Sequence, residues 1–423
     1  MTARKTIALT AALALFASLV LYAAPERYGN IQVKYTPEQY DSLLSAWYES
    51  SVVESYDLYL HDFIDIEAGN YSGPDSYELP DSVYEARLRM IASVIQLPYN
   101  DVVKRYILAY TGRIHSRMEN ILGLAQFYFP MIEEELDRQG LPLELKMLPV
   151  IESALYPKAI SRSGATGLWQ FILSTGKSFG LEINSFVDQR MDPATSTRAA
   201  CLYLKQLYGM YGDWTLAIAA YNCGPGNINK ALKRAPNAQT YWDIYDYLPK
   251  ETRGYIPSFI AATYAYTFHK AHGIEPRTAS LPFSIDTVTI SKMTHFEQIS
   301  STLRTSMEVL RELNPQYKMD IVPATDKPYT LILPQYTIAS FIEKEEEIYG
   351  KDSIYLSQYL NPANLKNNPA ATALRGSSTY KVKSGDTLGA IAQRHGVSTA
   401  ALTRANGIRN PRSLRIGQIL VIP

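Results

Sequence analysis

Between residues 111 and 275, apolar side chains recur at helical rather than strand spacing, and this periodicity limits the fold more than any other feature of the sequence. Asp192-Pro193 has the form of a helix N-cap followed by a proline in the first turn. Asp213 is predicted to cap a second helix, which Gly224-Pro225-Gly226 ends. The first helix is predicted to bury one apolar stripe, formed by Ala200, Leu204, Leu207, Tyr208 and Tyr211. Few segments alternate with period two, so we expect an all-α domain here.

The overall composition excludes several classes of protein. Of the 423 residues, 46% are apolar and 19% charged, which argues against wholesale disorder. The 41 Lys and Arg balance the 41 Asp and Glu, so the chain lacks the basic surface of a nucleic-acid-binding protein. Cys201 and Cys223 are expected to be small buried residues, although a disulfide between them stays open. The histidines form no metal-binding pattern, so we predict neither a metal nor a cofactor.

The first 24 residues have the pattern of an export signal. Arg4 and Lys5 precede an apolar stretch that runs from Ile7 to Ala24. Tyr22 and Leu21 are too bulky for a good cleavage site, and the stretch is nearly long enough to span a membrane. A cleaved signal peptide and a retained anchor, which would bring membrane association, therefore both stay open. In either case we expect an exported protein of the periplasm or cell envelope.

The remaining chain divides into five segments by composition and periodicity. Residues 25–110 are predicted to be an N-terminal helical region that packs on the all-α domain of residues 111–275. Residues 283–334 and 379–423 both show the order strand, helix, helix, strand, which indicates a weak internal repeat. Residues 341–378 are first charged and then rich in Asn, Pro, Ala and Ser, which is typical of a linker. The predicted fold class is therefore mainly α, with small βααβ modules.

Glu152 is the candidate catalytic residue. It is predicted to end a helix that begins near residue 141, and Val150-Ile151 and Ala154-Leu155 flank it with apolar side chains. A carboxyl group in such surroundings retains its proton to higher pH, because its charged form loses hydration. An acid of this kind can protonate a glycosidic oxygen near neutral pH. From this segment alone, an exposed glutamate at a helix end is the competing interpretation.

Two further segments place polar side chains beside glycine turns. Residues 164–171 (GATGLWQF) place Gln170 after a turn where glycine lets the backbone approach a ligand. The Gln170 amide can form hydrogen bonds with a sugar. Residues 220–226 (AYNCGPG) place Tyr221 and Asn222 at the C-terminal end of a helix. Taken singly, each segment is more often packing followed by a loop than a site.

In their order along the chain, these blocks resemble the catalytic domain of the soluble lytic transglycosylase (SLT) family: Glu152-Ser153, residues 167–170 and residues 220–226. With Trp169 in the second block, the pattern is most similar to the membrane-bound murein transglycosylase D type. Residues 251–255 (ETRGY) match a further block of that type. The resemblance covers about residues 111–270 and implies a lysozyme-like all-α fold. The chain departs from the family's usual residues at Cys223 and Phe171.

The resemblance also implies a reaction. Glu152 would protonate the oxygen between N-acetylmuramic acid and N-acetylglucosamine in peptidoglycan, and would then accept the proton of the muramyl 6-hydroxyl as a 1,6-anhydro ring closes. No water enters, so enzymes of this family are lyases. This agrees with the lack in the sequence of an evident second catalytic carboxylate, which ordinary glycosidases require. The residues expected to position the sugar or Glu152 are Ser153, Gln170, Tyr221, Asn222 and Tyr255.

The C-terminal segment resembles a LysM domain in three blocks: residues 380–388, Ala405-Asn406 and residues 416–423. In that family, the turn that corresponds to Gly385, Asp386 and Thr387 contributes to a shallow groove for N-acetylglucosamine. Asp386 and Thr387 can also act as helix caps. Residues 283–334 resemble a degenerate LysM domain without this turn, so sugar binding is less expected there. Because the modules are tethered, even weak binding would raise the local concentration of glycan at the cleft.

The sequence therefore predicts a peptidoglycan lytic transglycosylase whose partner is the glycan strand. One alternative is a muramidase, a hydrolase that resembles goose-type lysozyme and shares the fold and a single dominant glutamate. The other is a non-catalytic scaffold that binds the cell wall through a decayed site. The presence of Glu152, Gln170, Tyr221 and Asn222 argues against decay.

Overall fold

The computed structural model describes residues 78–161, 163–184, 186–279, 281–282 and 284–356, and parts of the segment 378–422. The predicted export segment, most of the N-terminal helical region and most of the predicted linker lie outside the described residues. Within the described part of the chain, no helix is both long and apolar enough to cross a membrane.

Residues 78–279 form a helical domain, as the periodicity predicts. The α-helices described in it are α1 (Asp81–Met90), α2 (Asp101–Leu108), α3 (His115–Gln139), α4 (Leu148–Ser153), α5 (Leu173–Ser178), α6 (Pro193–Tyr211), α7 (Trp214–Cys223), α8 (Pro225–Arg234), α9 (Lys250–Arg253) and α10 (Tyr255–Phe268). A π-helical turn follows α2 (Ala109–Arg113), and the 3₁₀ helices are Leu143–Met147, Trp242–Tyr247 and His269–His272.

The predicted helix caps of α6 and α7 are confirmed. The side chain of Asp192 accepts a hydrogen bond of 2.8 Å from the backbone N–H of Thr195, and Asp213 accepts one of 2.8 Å from Leu216. Each carboxylate satisfies an N–H group that has no partner inside its helix. Gly224 ends α7 with a φ of 81°, a conformation that favours glycine.

Helix α10 is the central element of this domain. All residues from Tyr255 to Ala265 are buried, so this part of the helix is enclosed on every side. It packs against α2, α4 and α7. Since α4 ends at Ser153 and α10 begins at Tyr255, this packing brings Glu152 close to the first residue of α10.

The helices that precede residue 111 pack on the domain that follows them. Helices α1 and α2 contribute Tyr84 and Tyr106 to the same hydrophobic core as α10. At Gly254, a Cβ atom would lie 2.3 Å from the hydroxyl oxygen of Tyr106, so a larger residue there would require the Tyr106 side chain to shift. The described helices before residue 111 therefore share their hydrophobic core with the rest of the domain.

Residues 284–356 form a second unit, here called the βααβ module. Strand β1 (Ile285–Ile290) pairs antiparallel with β4 (Tyr329–Pro334), which confirms the predicted opening and closing strands. The two predicted helices lie between them as α11 (Phe296–Leu303) and α12 (Met307–Leu313). The remaining elements are a short pair, β2 (Thr294–His295) with β3 (Ile321–Val322), and the 3₁₀ helices Lys318–Asp320 and Gln335–Thr337.

Helices continue past residue 341, where the predicted linker begins. Helices α13 (Ile338–Glu343), α14 (Glu345–Tyr349) and α15 (Asp352–Tyr355) continue the βααβ module. Phe341 and Ile348 are buried in its core. The start of α14 is charged because it has three consecutive glutamates. The apolar residues on either side of these charges are the ones that pack in the core of the module.

The described residues between 378 and 422 belong to a third unit, here called the C-terminal module. Strand β5 (Ser378–Lys381) pairs antiparallel with β6 (Ile419–Ile422), and α16 (Leu388–Arg394) follows β5. Thr387 caps α16 by accepting a hydrogen bond of 3.2 Å from the N–H of Ala390, which confirms the predicted cap. Most of the second predicted helix, from Ser398 onward, lies outside the described residues.

The extent of the βααβ module can be tested with two isoleucines. Ile348 is fully buried and Ile342 is 67% exposed, although both lie in the segment that resembles a linker. We expect Ile348→Ala to lower the free energy of unfolding by about 2–5 kcal/mol because it leaves a cavity. Ile342→Ala should change it by less than about 0.5 kcal/mol. Urea denaturation of both variants is the measurement, and equal effects would show that this segment does not belong to the module.

Candidate active site

The backbone after α4 fixes the direction of Glu152. Ala154 and Leu155 have left-handed φ angles of 51° and 63°. Their N–H groups donate to the carbonyl oxygens of Val150 (3.0 Å) and Pro149 (3.1 Å), which closes the helix within one turn. Left-handed backbone costs a residue other than glycine roughly 1–2 kcal/mol. Such strain is typical of functional sites, where the surrounding structure enforces it.

The carboxyl group of Glu152 is buried, and the residue is only 8% exposed. The hydroxyl of Tyr255 donates a short hydrogen bond to Glu152 Oε1. Burial raises the pKa of Glu152 to about 7, while the Tyr255 hydrogen bond acts in the opposite direction. The burial of this side chain contradicts the competing interpretation of an exposed glutamate at a helix end.

The 251–255 block links Glu152 to the end of α7. Tyr255 contacts the carboxyl group, and the hydroxyl of Thr252 donates a hydrogen bond of 3.0 Å to Asn222 Oδ1. Asn222 itself is an exposed residue. This block therefore places Asn222 at the accessible edge of the site and Tyr255 at its buried end.

Gln170 lies in a strained turn. Its φ is 47°, and its Nε2 atom donates hydrogen bonds to the carbonyl oxygens of Gly167 (2.8 Å) and Ala159 (3.2 Å). Its Oε1 atom is buried and meets no hydrogen-bond donor within the described structure. Gly167 has a φ of 85°, and a Cβ atom there would lie 1.7 Å from the carbonyl oxygen of Arg190. Glycine is therefore required at residue 167, as the sequence motif suggests.

Ser153 and Tyr221 tie this turn to the helices around it. The Ser153 hydroxyl lies 3.0 Å from the carbonyl oxygen of Leu168, and the Tyr221 hydroxyl donates a hydrogen bond of 2.8 Å to the carbonyl oxygen of Trp169. Burial, and then the charge of Glu152, raise the pKa of Tyr221. The structure thus brings Glu152 together with Ser153, Tyr221, Tyr255 and the Gln170 turn.

Trp169 does not line the site. Its indole is fully buried, and its Nε1–H donates a hydrogen bond of 2.8 Å to Thr197 Oγ1 on α6. The sequence placed this side chain beside a ligand-accessible turn, but the turn directs it into the core. Its contribution is to anchor the turn on α6.

Arg190 and Asp188 form a support that the sequence motifs did not reveal. Arg190 Nη1 donates to the carbonyl oxygens of Gly164 (2.9 Å) and Phe171 (3.2 Å), the two ends of the Gln170 turn. Asp188 accepts hydrogen bonds from Arg190 Nε (2.9 Å) and Nη2 (2.8 Å) and thereby fixes the guanidinium group. A charged pair two residues apart is too common in sequences to predict this contact.

In the C-terminal module, Asp386 stabilises the turn rather than a helix end. It accepts hydrogen bonds from the Tyr380 hydroxyl (2.6 Å) and the Lys383 N–H (2.8 Å). The Tyr380 bond is the largest cause of its lowered pKa. Thr387 is exposed, and Gly385 lies outside the described residues.

Cys201 and Cys223 are both free thiols, which excludes the disulfide that the sequence left open. Cys201 is buried as expected, whereas Cys223 is half-buried. Among the residues that the structure describes, no group of His, Cys, Asp and Glu is arranged to hold a metal ion.

Three family models match the chain in separate segments. The transglycosylase SLT domain matches residues 129–244, the LysM-like domain of lytic transglycosylase MltD matches residues 284–350, and the LysM domain matches residues 380–423. The expected fold class is confirmed: a lysozyme-like helical domain with small βααβ modules. The second match ends at residue 350, which agrees with the inclusion of α13 and α14 in the βααβ module.

Membrane-bound lytic murein transglycosylase D of Escherichia coli strain K12 is 31% identical over 330 residues, which are 77% of this chain and 70% of that protein. This chain belongs to the membrane-bound lytic murein transglycosylase D family. Soluble lytic murein transglycosylase of the same strain is 32% identical over 123 residues, 28% of this chain and 19% of that protein. The solved structure of the 70 kDa soluble lytic transglycosylase from Escherichia coli aligns with 57% of this chain and 47% of its own, at 19% identity and a TM-score of 0.31.

The buried carboxyl group predicts a pH-dependent effect on stability in this family member. Between the ordinary value of 4.5 and about 7, folded Glu152 binds a proton that the unfolded chain releases, so stability falls as pH rises through this window. Glu152→Gln is neutral at every pH and avoids this loss. We expect the variant to be more stable than wild type at pH 8, by an amount on the order of 3 kcal/mol, and nearly equal at pH 4. Urea denaturation at both pH values tests this, and a difference that does not depend on pH would contradict it.

Proposed function

We propose that this protein is a lytic transglycosylase that cleaves the β-1,4 bond between N-acetylmuramic acid and N-acetylglucosamine in peptidoglycan, with Glu152 as its catalytic acid and base. The observation that carries the proposal is the buried Glu152 carboxyl group, whose pKa of about 7 leaves much of it protonated near neutral pH. An acid poised near the working pH is the most effective proton donor.

In the first step, Glu152 gives its proton to the glycosidic oxygen as the bond from that oxygen to the muramyl anomeric carbon breaks. The leaving N-acetylglucosamine keeps the proton as a hydroxyl group, and the muramyl N-acetyl oxygen assists at the anomeric carbon. Glu152 is then a carboxylate. The Tyr255 hydroxyl, which donates to Oε1, stabilises this charged form and so keeps the second step accessible.

In the second step, the Glu152 carboxylate accepts the proton of the muramyl 6-hydroxyl, and that oxygen bonds to the anomeric carbon as the N-acetyl oxygen leaves it. The product carries a 1,6-anhydro ring, and no water is consumed. Retaining and inverting glycosidases instead use two carboxyl groups on either side of the bond. Burial and the Tyr255 hydroxyl account for the pKa shift of Glu152, and neither is a second carboxylate.

The neighbouring residues are proposed to hold the glycan. The buried Gln170 Oε1 atom is placed to accept a hydrogen bond from an N-acetyl N–H or a sugar hydroxyl, which would satisfy it. The exposed amide of Asn222 would hydrogen-bond with the same strand. Ser153 and Tyr221 already donate within the protein, so their proposed roles are to position Glu152 and the Gln170 turn.

The proposed place of action is the cell envelope. Export through the N-terminal segment would bring the protein to peptidoglycan, and retention of that segment would hold it at a membrane. The C-terminal module is proposed to bind N-acetylglucosamine at the turn of Gly385, Asp386 and Thr387. Tethering to the wall would keep the helical domain near its substrate.

The reaction can be tested by the products released from purified sacculi. Wild-type protein is expected to release anhydro-muramyl products, which are lighter by one water than the reducing-end products of a hydrolase. Glu152→Gln should lower the rate by about 100-fold or more, because it removes the general acid. Mass spectrometry is the measurement, and the exposed Glu275→Gln is the control. Reducing-end products would identify a muramidase, and binding without products would identify a scaffold.

The C-terminal module can be tested by deleting residues 379–423. We expect sacculus binding in a pull-down to weaken more than turnover of a short, soluble glycan, because the deletion removes the tether but not Glu152. Unchanged binding to sacculi would refute the role proposed for this module.

A further inference from the structure

We infer that the βααβ module is a positioning element of the active site, and that it acts through Glu312 on Lys158 and through a backbone contact on Asp188. This inference rests on the proposed function for its kinetic test. It assigns a role as a positioning residue to Glu312, a side chain that belongs to the βααβ module and not to the helical domain.

The first contact is made by helix α12. Its Val309 and Leu313 are buried in the hydrophobic core of the helical domain rather than in the core of their own module. Between them, Glu312 is 7% exposed and forms a short ion pair with Lys158. Burial raises the pKa of Tyr156 to about 12, and the charge of Glu312 adds to this shift. The βααβ module therefore inserts a charged residue into the segment that follows Glu152.

Lys158 precedes the residue that holds the Gln170 turn. The carbonyl oxygen of Ala159 accepts hydrogen bonds from Gln170 Nε2 (3.2 Å) and from the N–H of Gly167 (2.9 Å). An ion pair that fixes Lys158 thus restrains the acceptor that orients the Gln170 side chain. Glu312 is thus connected to Gln170 by its ion pair with Lys158, by the peptide unit between Lys158 and Ala159, and by the hydrogen bond from Gln170 to the Ala159 carbonyl oxygen.

The second contact reaches the same turn from its other side. The N–H of Asp188 donates a hydrogen bond of 2.9 Å to the carbonyl oxygen of Gln316 in the βααβ module. The N–H of Lys318 donates one of 2.7 Å to the carbonyl oxygen of Phe186. Val187, which lies between Phe186 and Asp188 in the chain, is buried in the core of the βααβ module. Asp188 fixes Arg190, and Arg190 binds both ends of the Gln170 turn.

The turn that would bind sugar in a LysM domain is covered in this module. Thr294 and His295, which precede α11 as Asp386 and Thr387 precede α16, are buried. Gln298 Nε2 donates a hydrogen bond of 2.8 Å to the carbonyl oxygen of Ile348, so α14 packs over the start of α11. Since this surface is occupied, docking on the helical domain is the better supported role for the module.

The test compares two glutamates of α12. Glu312→Gln removes the charge at the contact and keeps the size of the side chain. The control is Glu308→Gln, whose side chain is 43% exposed and pairs with Arg311 inside the module at 2.6 Å. On a short, soluble glycan we expect Glu312→Gln to lower kcat by about tenfold with little change in KM, because a misplaced turn affects the transition state most. The control should leave kcat unchanged.

Two additional measurements separate positioning from folding. Lys158→Glu alone places two acidic groups together. The charge-swapped double variant Lys158→Glu/Glu312→Lys restores a pair of opposite charges, and it should recover at least half of the kcat that is lost in Glu312→Gln. Hydrogen exchange of residues 164–171 should be faster in Glu312→Gln than in wild type or Glu308→Gln.

The outcomes are distinguishable. Wild-type kcat and exchange in Glu312→Gln would overturn the inference, and so would equal losses in Glu312→Gln and Glu308→Gln. A wild-type protein that releases no product would refute the proposed function, while the exchange measurement would still decide whether the βααβ module positions the turn.

Discussion

The hydrogen bond from the Tyr255 hydroxyl to the Glu152 carboxyl group, inside an apolar domain, is the interaction on which the site depends. Burial alone would favour a permanently protonated acid, and the hydroxyl donor partly offsets this by stabilising the carboxylate. The balance keeps both protonation states accessible near neutral pH. It requires Glu152 and Tyr255, about a hundred residues apart in the chain, to be held within hydrogen-bond distance.

The packing of the helical domain meets that requirement. The buried helix α10 fixes Tyr255, and the left-handed residues after α4 fix Glu152. The Gln170 turn is then bound from several directions, by Ser153, Tyr221 and Arg190 and by the carbonyl oxygen of Ala159. Its strained backbone persists because these contacts together specify one conformation. The chemistry thus belongs to one domain, while part of its rigidity comes from the βααβ module.

Sequence reasoning succeeded where the cause of a structure is local. The Asp192 and Asp213 caps and the two strands of the βααβ module follow from residues within a few positions of one another. It failed where long-range burial decides. The burial of Phe341 and Ile348, which lie in the segment predicted as a linker, and the burial of the Trp169 indole could not be predicted, because composition does not show which apolar side chain meets which surface.

By itself, the sequence determined the helical class of the main domain, the repeated βααβ order and the identity of the candidate acid, since periodicity, caps and motifs are encoded by neighbouring residues. Only the tertiary structure decided that the Glu152 carboxyl group is buried against Tyr255, that Arg190 and Asp188 support the Gln170 turn, and that Glu312 reaches Lys158 from another module. The physical reason is that desolvation and ion pairing depend on distances in space, and residues far apart in a chain acquire those distances only when the core packs.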